Sequence, residues 1–100
     1  MPVRLKRSPK NPILEPSENW WENKLVCNPG VFEFDGLIHL IYTAKGEDGI
    51  PRFGYAKFKN IDELVERIPH PIFQPEEWFE IDGVEDPRLT LVDNMLHMLY

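Results

Sequence analysis

Apolar residues in this chain fall in short, dense runs broken by turn-forming pairs. Val31 to Phe34 and Leu37 to Thr43 flank Asp35-Gly36, a dipeptide that favours the type I′ turn of a two-residue hairpin. Leu89 to Val92 is followed in the same way by Asp93-Asn94 and a further apolar run, which predicts a second hairpin. Arg52 to Phe58 reads as another strand, with Phe53, Tyr55 and the aliphatic stem of Lys57 on one face. A loop from Lys45 to Pro51, containing Gly46 and Gly49, joins it to the first hairpin. One segment has a different period. Asn60 can cap a helix with Glu63 three residues on, and Ile61, Leu64, Val65 and Ile68 keep the i, i+3, i+4, i+7 spacing until Pro69. That spacing predicts a short helix lying outside the sheet.

The two hairpins are copies of one unit. Val26 to Tyr42 lies over Val84 to Tyr100 without a gap at an offset of 58 residues. Val, Pro, Asp, His and Tyr recur at identical places, and apolar positions match apolar positions. Upstream, Pro12-Ile13-Leu14-Glu15-Pro16 is answered by Pro71-Ile72-Phe73-Gln74-Pro75. A long period carried by strands points to a radial array such as a β-propeller, in which neighbouring blades bury each other's faces. The blade repeats lie around residues 26–58 and 84–100. Positions that differ between otherwise matching copies are free to specialise. They are Cys27/Glu85, Asn28/Asp86 and Gly30/Arg88, all at the entrance to the same strand.

With 100 residues and 42% hydrophobic content the chain has enough apolar surface for a core. A propeller, however, closes its ring with roughly 4–8 blades. The expectation is therefore that residues 1–100 are the N-terminal part of a single propeller domain; the alternative is a short two-blade protein that assembles, and a homo-oligomer is the corresponding partner. A net charge of −6 argues against nucleic acid or an anionic membrane as partner, since both select basic surfaces. Arg4, Lys6, Arg7 and Lys10 lead into no apolar stretch and read as a solvated tail, not a signal peptide. The single Cys27 can form no internal disulfide, which suits a cytoplasmic location.

The segment Gly83-Val84-Glu85-Asp86-Pro87-Arg88 carries the strongest chemical signal. Pro87 is expected to hold Asp86 extended just before the strand that follows. Asp86 and Arg88 then share one face and Glu85 takes the other, so only one of the two carboxylates faces a given cavity. The bland reading is that Asp86 pairs with Arg88 or caps backbone amides. His39 and His97 occupy identical repeat positions and read as strand packing, with no neighbouring metal-ligand spacing. Trp20, Trp21 and Trp78 are read as blade-interface plugs ahead of sugar-stacking platforms. Cys27 is read as an inert thiol.

Asn11-Pro12-Ile13-Leu14, Trp21-Glu22, Asn28-Pro29-Gly30, His39-Leu40-Ile41-Tyr42, Arg52-Phe53-Gly54-Tyr55-Ala56 and Gly83-Val84-Glu85-Asp86-Pro87-Arg88 occur in the order seen in glycoside hydrolase family 130. The chain resembles that family from Asn11 onward. The resemblance implies an all-β, five-bladed propeller with a central active site, of which this chain covers about the first two blades. It further implies phosphorolysis of β-mannosides to mannose 1-phosphate with inversion. Inorganic phosphate is then the attacking co-substrate, no cofactor or metal is called for, and an oligosaccharide is the substrate. By resemblance Asp86 is the proton donor, passing its proton to the leaving oxygen through a mannose hydroxyl. Asn28, Arg52, Glu85 and Arg88 match positions that bind the sugar or support Asp86. Residues that hold phosphate in the family fall outside this chain.

Two other readings stay open at this level. A hydrolase of the same fold needs a second carboxylate about 6.5–9.5 Å from the acid to activate water, and no residue here identifies it. A propeller that only binds glycans, or a fragment that serves as an assembly module, is also compatible, because the fold does not choose between them.

Overall fold

The computed structural model describes residues 2–100, and every regular element in it except one 3-10 turn is a strand. β1 (Leu25–Phe34), β2 (Leu37–Lys45), β3 (Arg52–Lys59) and β4 (Glu63–Arg67) form an antiparallel meander in the order β1-β2-β3-β4. β5 (Arg88–Val92) and β6 (Met95–Leu99) form a separate antiparallel hairpin. The two tight turns are as expected. Asp35 and Gly36 have φ of 52° and 74°, and Asp93 and Asn94 have 48° and 61°, the paired positive values of a type I′ turn. The chain is thus one complete four-stranded blade followed by the first hairpin of the next.

β2 explains why its sequence reads as an almost unbroken apolar run. Leu40, Tyr42 and Ala44 pack on one side with Trp21, Ala56 and Phe58, joined by Ile13 and Leu14 of the N-terminal segment. Ile41 packs on the other side with Phe53 and Val84, joined by Tyr55, Phe73, Leu89 and Met98. A strand buried on both faces cannot alternate polar with apolar residues. The second of these clusters is the layer between the blade and the β5–β6 hairpin. Its spacing depends on Gly30, where a Cβ would stand 2.8 Å from the carbonyl oxygen of Pro87 and 3.0 Å from Cγ of Leu89. The bare Cα lets β5 lie directly against β1.

His39 belongs to this packing, as expected, whereas His97 at the matching repeat position is exposed. The His39 ring stacks on Phe32 at 4.7 Å, and its two nitrogens meet the Tyr55 hydroxyl at 2.6 Å and the Phe34 carbonyl at 3.1 Å. Trp21 is buried in the first core, with Nε1 donating to the Pro69 carbonyl at 2.9 Å. Trp20 lies under the Arg52 guanidinium, while Trp78 is 84% exposed, stacked edge-on against Phe79 and plugging nothing among the described residues.

The segment from Asn60 to Ile68 is not the expected helix. Asn60 takes a φ of 58° in a turn, and Glu63–Arg67 pairs with β3 as the outer strand of the blade. The apolar pairs in this stretch fit a helical stripe and a short strand equally well. The open backbone edge of β3 decides between them, because it supplies hydrogen-bond partners that a detached helix would leave unpaired. Strand geometry also carries Arg67 back over the core. Its Nη2 lies 3.1 Å from Oε1 of Glu22, a carboxylate with no exposed surface. Glu22 is further held by the Tyr42 hydroxyl at 2.7 Å, by Asn19 Nδ2 at 3.0 Å and by the Ser17 hydroxyl. Burial works against ionisation of Glu22, but the hydrogen bonds from Ser17, Tyr42 and Asn19 and the charge of Arg67 outweigh it, so its pKa lies below the ordinary value. The same burial and the neighbouring Glu22 carboxylate push the Tyr42 phenol far up.

Candidate active site

An Asx-Pro pair recurs at the first strand of each repeat. Asn28-Pro29 interrupts the β1–β2 register between Cys27 and Gly30, a bulge that frees Asn28 from the ladder. Asp86-Pro87 stands at the same repeat position, immediately before β5. Both Asx residues have positive φ, 47° at Asn28 and 57° at Asp86. Asp86 is therefore not extended, contrary to the expectation drawn from Pro87. A following proline disfavours the right-handed helical region, and Asn and Asp are the non-glycine side chains that best tolerate the left-handed one.

The left-handed backbone is held from two sides. The Asp86 amide donates to the Thr43 hydroxyl at 3.1 Å, and Pro87 is fully buried. Thr43 is itself 1% exposed and faces Cys27 across the β1–β2 ladder. The side chain points outward, and its Oδ1 accepts from Asn28 Nδ2 at 2.9 Å. Equivalent residues of the two repeats thus touch each other where β5 lies against β1. Oδ2 of Asp86 has no hydrogen-bond partner among the described residues.

The remaining expected site residues divide into two groups. Glu85 lies outside β5, and with Asp86 left-handed the expected strand alternation between them does not apply; its Oε1 lies 3.5 Å from Lys45 Nζ at the end of β2. Arg88 is exposed and donates to the carbonyl of Pro87 at 3.3 Å, making no ion pair with Asp86 among the described residues. The structure thus joins Asn28 and Asp86 directly, while Glu85 and Arg88 are close along the chain but bonded to Lys45 and to the Pro87 carbonyl. Arg52 is engaged elsewhere. Its guanidinium binds Asp48 in a fork, at 3.0 and 2.8 Å, and reaches Gln74 Oε1 at 3.3 Å. The hydrogen bonds from Arg52 hold the Asp48 carboxyl below its ordinary pKa, and they tie down the loop between β2 and β3. Cys27, next to Asn28, has its thiol pushed up by burial and by the charges of Asp86 and Glu85, which opposes thiolate formation.

Thr43 and Lys45 were not expected from the residues. Thr43 sits inside a run that reads as core, and nothing in its spacing marks its hydroxyl as an acceptor for a residue 43 positions away. The partnership of Asn28 with Asp86 did leave a signal, because their separation is the repeat length itself.

Comparison with known proteins agrees with this arrangement. Residues 4–100 match the model of glycoside hydrolase family 130, described as β-1,4-mannooligosaccharide phosphorylase. The chain is similar to a 1,2-β-oligomannan phosphorylase of Thermoanaerobacter sp. (strain X514), with 36% identity over 98% of the chain and 36% of that protein. It is 34% identical to a β-1,2-mannobiose phosphorylase of the same organism, over 97% of the chain and 36% of the relative. The chain thus spans little more than a third of the length of these curated relatives. It also superposes with a TM-score of 0.76 and 27% identity, over 87% of the chain and 30% of the other, on a structure from work on mannoside phosphorylases of family GH130 that reports glycoside hydrolases targeting β-1,2 mannosidic linkages in Candida mannan. Repeat, blade architecture and family match converge: the chain belongs to glycoside hydrolase family 130 and forms part of its β-propeller fold.

Proposed function

We propose that this chain acts as the N-terminal blades of a propeller that phosphorolyses β-mannosides with inversion, releasing mannose 1-phosphate, and that Asp86 is the proton donor. The observation that carries the assignment is the Asp86 side chain. It projects from a backbone held by Thr43, with one carboxylate oxygen bound by Asn28 and the other without a partner among the described residues. In the proposed reaction a phosphate oxygen attacks the anomeric carbon as the glycosidic C–O bond breaks. The leaving oxygen takes up a proton that originates on Asp86 and travels through a mannose hydroxyl. Such a relay relaxes the demand that the carboxyl reach the leaving oxygen directly. Asn28, Glu85 and Arg88, on the same strand entrances, are assigned to the sugar, and Arg52 to the support of the neighbouring loop.

The likeness to the two mannoside phosphorylases supports phosphorolysis. The likeness to a structure tied to β-1,2-mannoside hydrolases favours a second reading, in which water replaces phosphate. The experiment is turnover of short β-mannosides by the completed propeller with and without inorganic phosphate. Asp86→Asn keeps the side-chain shape and is expected to lower turnover by about 10²–10⁴-fold, the usual contribution of proton donation. Unchanged phosphate-dependent turnover in that variant removes Asp86 as donor, and turnover indifferent to phosphate moves the assignment to hydrolysis.

A further inference from the structure

Asp86 occupies a left-handed backbone conformation, φ 57°, that non-glycine residues adopt only where their surroundings favour it. Pro87 anchors the chain after it by full burial. On the near side, Val84 is buried and its amide donates to the Pro51 carbonyl at 3.0 Å. Among the described residues, Asp86's own backbone amide bonds only to the Thr43 hydroxyl, at 3.1 Å. Thr43 comes from β2, the doubly buried strand of the preceding blade, and so transmits the position of the core to the loop that presents the carboxylate. A valine there would match the volume while leaving the Asp86 amide without its acceptor.

Resting on the assignment of Asp86 as proton donor, we infer that Thr43 is a positioning residue for the reaction, aiming the Asp86 carboxyl from the neighbouring blade through its backbone. Thr43 touches neither substrate nor the reacting atoms. Its contribution is angular: with the hydroxyl lost, the left-handed turn relaxes and the carboxyl leaves the line of the proton relay. Displacements of about 1 Å at such a site cost on the order of 10²-fold in rate.

The test uses the completed propeller and measures mannose 1-phosphate release from a β-1,2-mannobiose substrate with inorganic phosphate. Thr43→Val is expected to lower kcat by roughly 10–100-fold with KM little changed, since a misaimed donor weakens the transition state and not the ground state. Thr43→Ser, which keeps the hydroxyl, is expected to restore kcat to within about threefold of the parent. In an Asp86→Asn background, Thr43→Val should lower the residual rate no further, because a residue that acts only through Asp86 is not additive with it. A merely structural threonine would lose stability and rate in both backgrounds. Should Thr43→Val not fold, Thr43→Ala removes the same hydroxyl without placing a second methyl against the amide. Full phosphate-dependent turnover in Asp86→Asn overturns the donor assignment itself. Impaired Asp86→Asn with a Thr43→Val kcat within about threefold of the parent, or additivity of the two substitutions, overturns the role of Thr43 alone.

Discussion

Glu22→Gln is the sharpest test of what holds the blade together. Glu22 is wholly enclosed and takes hydrogen bonds from Ser17, Asn19 and Tyr42 while lying 3.1 Å from Arg67. Glutamine preserves the shape but supplies one acceptor oxygen where the carboxylate supplied two. If that oxygen stays with Tyr42 and Arg67, the new NH2 group faces the Asn19 amide donor, and Arg67 loses its counter-charge. Removing one partner of a buried ion pair costs about 3–5 kcal/mol. Glutamine retains part of the bonding, so the low end, about 3 kcal/mol, is expected. The loss must also depend on pH. The folded-state pKa of Glu22 is depressed below its ordinary 4.5, so its contribution is complete above that value and disappears as pH falls through the lower folded value. Parent and variant should differ fully at pH 7 and converge in acid. The assay is urea unfolding followed by tryptophan fluorescence, with Trp21 adjacent to the network as the reporter, repeated from pH 7 downward. A variant within about 0.5 kcal/mol of the parent at pH 7, or a difference that does not change with pH, would refute the reasoning.

Gly30→Ala places a methyl 2.8 Å from the Pro87 carbonyl, so the β1–β5 spacing must widen; a loss of about 1–3 kcal/mol and disappearance of the Asn28–Asp86 proximity in NMR are expected. Gly36→Ala meets no atom within 4 Å but must hold a φ of 74°, so it should cost about 1–2 kcal/mol by backbone strain alone. Gly36→Asn, the residue used at the equivalent position 94, should cost less than Gly36→Ala in the same thermal melts. Leu91, Val92, Met95, Leu96 and Leu99 are exposed on the β5–β6 hairpin, so the 100-residue chain by itself should self-associate; sedimentation of a compact monomer at micromolar concentration would contradict this.

The sequence by itself determined the repeat, and with it the blade. Asp35-Gly36 and Asp93-Asn94 demand positive φ at paired positions, and the flanking apolar runs leave hairpins as the only way to bury them; this information is local and survives translation into three dimensions. The clustering of variable positions at one strand entrance was likewise legible, because a radial array brings equivalent residues together, as Asn28 and Asp86 are. Tertiary structure alone decided the rest. Residues 60–68 carry a pattern that suits two periods, and the unpaired edge of β3 chose the strand. Pro87 narrows the backbone of Asp86 without selecting its left-handed form, whose amide bonds to a hydroxyl arriving from β2. Arg52 reads as a site residue by resemblance, yet the fork it forms with Asp48 depends on where the loop between β2 and β3 closes. Each of these choices turns on a partner distant in the chain, and pattern along a sequence reports the period of an element but not which hydrogen-bond donors and acceptors its neighbours leave unpaired.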